Sequence, residues 1–174
     1  MLILRDALGF SGAEVAEALE TTPASVYSAL QRAHDSVDHR LPNVSQQATL
    51  RTLGDEKLRE IVDRYTAAWE QNDIDEITAM LTDRATLAMP PTATWYRGRD
   101  AIATGLKTGP LNGVLRWRMV PTYANGQPAA KTYRWDDSEG RFVSHPILAV
   151  LTLRGDRIEA IDAFHDPSLP VPFW

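Results

Sequence analysis

The chain has 174 residues, 44% of them apolar, and a formal net charge of −5. That is enough apolar material for a packed core and too much acid for a free-standing, non-specific nucleic-acid binder. The absence of cysteine excludes disulfides and thiolate chemistry, as expected in a reducing cytoplasm, and no apolar run approaches the roughly 20 residues that span a bilayer. The opening MLILRDALGF reaches an acidic residue too early for a signal peptide.

Residues 1 to about 40 read as short helices. Gly9-Phe10-Ser11 opens the first, with Ser11 as cap and Val15, Ala16 and Leu19 as the apolar face. Glu20-Thr21-Thr22 is a turn, and Pro23 suits the first position of the next helix. Val26, Leu30, Ala33 and Val37 then recur at helical spacing. A small residue (Ala16) and a β-branched one (Val26), ten apart, suit two helices crossing closely, as in a helix-turn-helix. Two amphipathic helices of an ordinary bundle would give the same spacing. The second helix would expose Ala24, Ser25, Tyr27, Ser28, Gln31 and Arg32, and of these Ser25, Tyr27, Ser28, Gln31 and Arg32 are the candidate DNA contacts. Residues 1–45 hold three arginines against six carboxylates, a net charge of −3. Phosphate neutralisation supplies most non-specific affinity, so such a module binds duplex weakly unless another part positions it.

Residues 41–53, polar and containing Pro42, read as a linker. From residue 54 to 174 helices give way to strands, the order of an α+β domain. Asp55 is expected to cap a helix with Leu58, Ile61, Val62, Tyr65 and Trp69 on one face. A second helix starts near Asp73, a short strand over Ala85–Met89 ends at Pro90-Pro91, and a third helix follows Asp100. In VLRWRMV, Leu115, Trp117 and Met119 alternate with Arg116 and Arg118. Asn125-Gly126 signals a hairpin, and the apolar run from Phe142 to Leu153 marks a central strand. Three helices and a four-stranded antiparallel meander make a cone with a pocket at its mouth.

Trp69, Met89, Trp95, Tyr96, Trp117 and Tyr133 are candidate pocket residues, with Trp95-Tyr96 expected on a loop after the double proline. The alternative is that these aromatics simply fill the cone. His145, sharing a face with Ile147, Ala149 and Leu151, is expected inward, either as a satisfied core histidine or as a catalytic group. Asp162 shares a face by alternation with Ile158, Ala160 and Phe164, an unusual setting for a solvated carboxylate, and is the best acid–base candidate. His165 is expected on the surface or at an interface, Asp166 is a further acid–base candidate that could simply cap a turn, and the tail DPSLPVPFW is expected to pack through its aromatic end. No metal-ligand spacing stands out and no cofactor is implied.

The block LRDALGFSGAEVAEALETTPASVYSALQRA resembles region 4 of extracytoplasmic-function (ECF) RNA polymerase sigma factors, covering residues 1 to about 40. That resemblance implies recognition of the −35 promoter element together with core RNA polymerase. Nothing in the chain resembles region 2, which opens the −10 element, so a C-terminal portion is implied. Many relatives carry basic residues at the places of Tyr27, Ala29 and His34. The remainder resembles the SnoaL-like domain attached to one subgroup of these factors, through AMPPTATWYRGRDAI, ANGQPAA and LTLRGDRIEAIDAFHDP. This implies a regulatory domain. The same fold serves cyclases and isomerases, so an enzyme or a small-molecule sensor stays open.

Overall fold

The computed structural model of the protein describes residues 1–38 and 44–165. The chain divides into two compact units, Met1–Asn43 and Val44–Trp174. Asp166, Pro42 and the tail fall outside the described residues.

The first unit contains a π-helical turn, Ile3–Ala7, then α1, Gly12–Ala18, and α2, Pro23–Asp38. Ser11 caps α1 in a reciprocal box: its hydroxyl accepts from Glu14 N, and the Glu14 carboxylate accepts from Ser11 N. At the head of α2, the Thr22 hydroxyl accepts from Ser25 N at 3.2 Å, with Pro23 where no N–H is needed. Val15, Ala16, Val26 and Leu30 form a small buried core, joined by Leu2 and Leu4. The close crossing expected of Ala16 and Val26 is therefore present. Leu19 and Val37, expected on the apolar faces, are exposed. His34 Nε2 lies 2.7 Å from Asp6 Oδ2, tying α2 to the N-terminal turn.

The second unit starts earlier than the sequence suggested. Helix α3 runs Gln46–Glu70, so the segment expected as linker is helical from Gln46 onward. Ser45 caps it, Leu50 and Leu53 pack on the core, and Gln46 Oε1 accepts from Leu153 N. Only Gly54, at φ 74° and ψ 163°, breaks the helix, a conformation that side-chain-bearing residues avoid. The polar sequence misled because this short first arm buries little more than Thr49, Leu50 and Leu53. Past the kink the predicted stripe, Leu58, Ile61, Val62, Tyr65 and Trp69, is buried.

Helix α4, Ile74–Ala79, is capped by Asp73, and α5, Arg99–Thr108, begins after Gly98 rather than at Asp100. The strands are β1 Leu81–Ala88, β2 Trp95–Arg97, β3 Trp117–Ala124, β4 Gln127–Asp136, β5 Arg141–Arg154 and β6 Arg157–His165. They form one sheet in the order β2-β1-β6-β5-β4-β3. The four-stranded meander is β3–β6. The sheet is nonetheless mixed, because β1 pairs parallel to β6 and β2 antiparallel to β1. Asn125 and Gly126 both have positive φ, as their hairpin requires. The sheet closes over α3, and Tyr65, Ile77, Ile102, Leu151 and Ile158 are among its most deeply buried side chains.

Among the described residues the sheet has three register irregularities; one lies in β1 between Leu81 and Thr86, and the other two bear on the cone's interior. Between Lys131 and Tyr133, β4 advances two residues while β5 advances four, from Ser144 to Leu148. Pro146, which has no N–H to offer the ladder, sits inside this bulge, and the Thr132 hydroxyl closes it by donating to the carbonyls of His145 (3.2 Å) and Ile147 (2.9 Å). The second lies in β6, where Leu153 pairs with Ile158 and Thr152 with Ala160, leaving Glu159 as an extra residue.

Candidate functional site

The bulge at Glu159 decides the chemistry of the cone. Alternation from Ile158 would place Asp162 inward. The extra residue reverses the phase, so Ile161, Ala163 and His165 line the interior, while Asp162 pairs with Val150 on the other face. Asp162 is thus not a pocket residue. His165, expected on the surface, is one. Only the pairing register reveals the bulge, so no sequence signal pointed to this exchange.

Inside the cone is a cavity of about 100 Å³. Helix α3 supplies Tyr65 and Trp69; the sheet supplies Trp117, Ile147, Ile161 and His165; Met89 and Tyr96 come from the β1–β2 region. Of the predicted pocket set, Trp69, Met89 and Trp117 line it. Trp95 does not: it is 60% exposed on β2, with the Arg97 guanidinium 5.7 Å from its ring centroid. Its neighbour Tyr96 does line the cavity, and both belong to a strand rather than a loop. The three-residue pairing with β1, Ala88 to Trp95 through Thr86 to Arg97, is what makes that stretch a strand. Tyr133 also misses the cavity, because it pairs with Arg118 on the outer face. There Arg116 stacks on Trp135 and Arg118 on Phe142, each 4.3 Å from the ring centroid.

An edge-to-face series runs from the cavity wall into the sheet: Tyr65 to Trp69 (6.2 Å), Trp69 to Trp117 (6.3 Å) and Trp117 to His145 (5.1 Å). Trp117 Nε1 donates to the Pro110 carbonyl at 2.8 Å. His145 faces inward as expected and is buried, but it lies behind Trp117 rather than on the cavity surface. Burial first, then the neighbouring Arg134 and His165, push its pKa down to about 4, so the ring is neutral. Burial pushes the Tyr65 phenol well above its ordinary value, partly opposed by the Trp69 side chain, so it stays protonated.

No carboxylate lines the cavity among the described residues, and none of them form a cluster able to hold a metal. Asp162 is half-buried, and burial raises its pKa. Its charge is therefore a strain on the folded state once ionised. Asp162→Asn is expected to raise the thermal midpoint at pH 7 and leave it unchanged at pH 3; an equal shift at both pH values would refute the assignment.

In the first unit, Ser25, Tyr27, Ser28, Gln31 and Arg32 are all exposed on α2. Two of them are already engaged. Ser25 Oγ is 2.9 Å from Thr22 Oγ1 within the cap. The Tyr27 ring lies across Gly12, so close that a Cβ there would sit 2.7 Å from Tyr27 Cζ. Tyr27 therefore packs α2 on α1, and Ser28, Gln31 and Arg32 are the candidate contacts left without such a role.

Comparison with known proteins places both units. The SnoaL-like domain family matches residues 62–161, and sigma-70 region 4 matches residues 1–34. Over 171 residues, 97% of this chain, the sequence is 35% identical to "ECF RNA polymerase sigma factor SigG" of Mycobacterium tuberculosis, in strains CDC 1551 and H37Rv alike. The chain spans 45% of the length of those relatives. Among solved structures, an NTF2-like protein of unknown function from Burkholderia xenovorans is 15% identical with a TM-score of 0.53, over 69% of this chain and 91% of that one. A putative polyketide cyclase from Xanthomonas campestris is 18% identical with a TM-score of 0.50, over 65% and 93%. These two likenesses establish the cone fold and nothing about chemistry. No helix among the described residues is long and apolar enough to cross a membrane. The chain belongs to the SnoaL-like domain family, carries a sigma-70 region 4 segment ahead of that domain, and is homologous along nearly its whole length to an ECF sigma factor.

Proposed function

We propose that this chain is the C-terminal portion of an ECF sigma factor acting in the cytoplasm. Region 4 contributes −35 recognition within the polymerase complex, and the SnoaL-like domain adjusts that engagement instead of catalysing a reaction. The observation that carries the reading is 35% identity over an alignment that covers 97% of the chain and so includes both units.

The charge balance sets how the reader must work. Arg5 and Arg32 are the two arginines on the described part of the first unit, and Arg5 Nη1 is turned to the Phe10 carbonyl. With this little phosphate neutralisation, affinity has to come from polymerase and from region 2. The chain alone is expected to give no sequence-specific gel shift at low salt, whereas core RNA polymerase with a region 2 segment supplied gives one that weakens on Arg32→Ala. Tight, specific binding by the chain alone would refute this reading.

A further inference from the structure

Helix α3 is two segments joined at Gly54. From Leu58 onward its apolar stripe is buried in the cone, Leu58 being 6% exposed, Ile61 4% and Tyr65 0%. The segment ahead of the kink, Gln46–Leu53, is held by far less. Of its side chains only Thr49 is buried, while Leu50 and Leu53 are partly covered. Gln46 Oε1 reaches across to the sheet and accepts from Leu153 N at 3.1 Å. The other end of that amide opposes the contact, because Gln46 Nε2 is buried with no hydrogen-bond partner among the described residues. Gln47, Arg51 and Thr52 are already exposed, so lifting the segment uncovers little beyond Thr49 and the two leucines.

Gly54 sets the angle between the two segments. Its φ of 74° and ψ of 163° lie in a region open to glycine almost alone. A Cβ built there meets nothing within 4 Å, so backbone conformation and not crowding excludes a side chain. A second conformation lies close by. With Gly54 helical, Gln46–Leu53 continues α3 in line and needs no new helix nucleus. The cap, in which Ser45 Oγ accepts from Ala48 N, survives that change; the contacts with the sheet do not.

We infer that Gln46–Leu53 is a releasable strap, hinged at Gly54, that sets the length of the tether between the two units. Docked, the strap lies on the sheet and the tether runs from the end of α2 at Asp38 to Ser45. Released, the strap adds its own length to the tether, about 12 Å as helix. On the sigma-factor reading, which gives the strap its purpose, tether length sets the effective concentration of the cone at the promoter reader.

The test uses the 174-residue chain and Gly54→Ala, since alanine disfavours the kinked backbone and favours the helical one. Exchange of the Leu153 amide hydrogen reports docking, and Gln46→Ala, which removes the acceptor, gives the rate of the freed N–H. Gly54→Ala is expected to speed Leu153 exchange at least about tenfold and leave Leu58–Trp69 protected. Leu53→Ala, which weakens docking without touching the hinge, should act in the same direction. The chain has no native cysteine, so spin labels can be placed on cysteines at Gln47 and Arg154, and in a second pair at Glu17 and Arg154. Both distance distributions are expected to move to longer values in Gly54→Ala. Unchanged Leu153 exchange, unchanged distances in either pair, or loss of protection at Leu58–Trp69 together with the strap would each overturn the inference. None of these readouts involves DNA or polymerase, so failure here leaves the sigma-factor reading to its own test.

Discussion

Replacing Leu30 by alanine is expected to unfold the region 4 unit while the cone keeps its own melting transition. The buried core of that unit consists of Val15, Ala16, Val26 and Leu30. Truncating a buried leucine costs about 2–5 kcal/mol, through lost transfer free energy and the cavity left behind. Domain stability scales as roughly 0.05–0.15 kcal/mol per residue, or about 2–6 kcal/mol for a unit this small. The substitution therefore consumes most or all of what holds α1 on α2. The caps at Ser11 and Thr22 survive, but a cap contributes only about 1 kcal/mol and cannot hold two helices together. Amide exchange is the measurement: in Leu30→Ala, residues 12–38 should lose protection while Leu58–Trp69 and β5 retain theirs, because the cone's core is a separate cluster. Gln31→Ala, on the exposed side of the same helix, serves as the control and should leave the pattern unchanged. Loss of protection in both units together, or in neither, would contradict the account.

What could be read in advance followed the local rules. Ser11, the turn before Pro23, the α3 stripe and the Asn125-Gly126 hairpin each rest on chemistry within a few residues, and each appears as expected. The cone's meander followed from the alternation in β3 and the length of β5. The parts that were not legible depend on pairing between distant strands. The parallel contact of β1 with β6 joins Leu81 to Ile158, and nothing in either sequence records it. The Glu159 bulge is the sharpest instance: one extra residue exchanges Asp162 for His165 at the cavity and removes the best acid–base candidate from the site. The two bulges differ in this respect. That in β5 adds two residues and preserves the phase, which is why the inward reading of His145 stands and that of Asp162 does not.

Acid is expected to loosen the cone through His145, and the direction follows from its depressed pKa. The ring is 6% exposed, its Nε2 is buried without a partner, and its pKa is lowered from 6.5 to about 4. Between those values the unfolded chain takes up a proton that the folded chain refuses, so stability is complete above about pH 6.5 and declines as the pH falls toward 4. The shift corresponds to a loss of at most about 3 kcal/mol by pH 4, less whatever relaxation admits water to the ring. Asp162 acts in the opposite sense, since its raised pKa lets the folded state accept a proton more readily, and it offsets part of the loss at the acid end. Chemical denaturation at pH 7.5, 6, 5 and 4.5 separates the two contributions. Wild type should lose most of its pH-dependent stability between 6 and 4.5. His145→Gln, which cannot take up the proton, should show a markedly flatter profile whatever its stability at neutral pH, and Asp162→Asn a steeper one near pH 4.5. A His145→Gln profile parallel to wild type would mean that the imidazole behind Trp117 is not the group that acid reaches first. Because that ring closes the aromatic series that begins at the cavity wall, its protonation also places a charge next to Trp117.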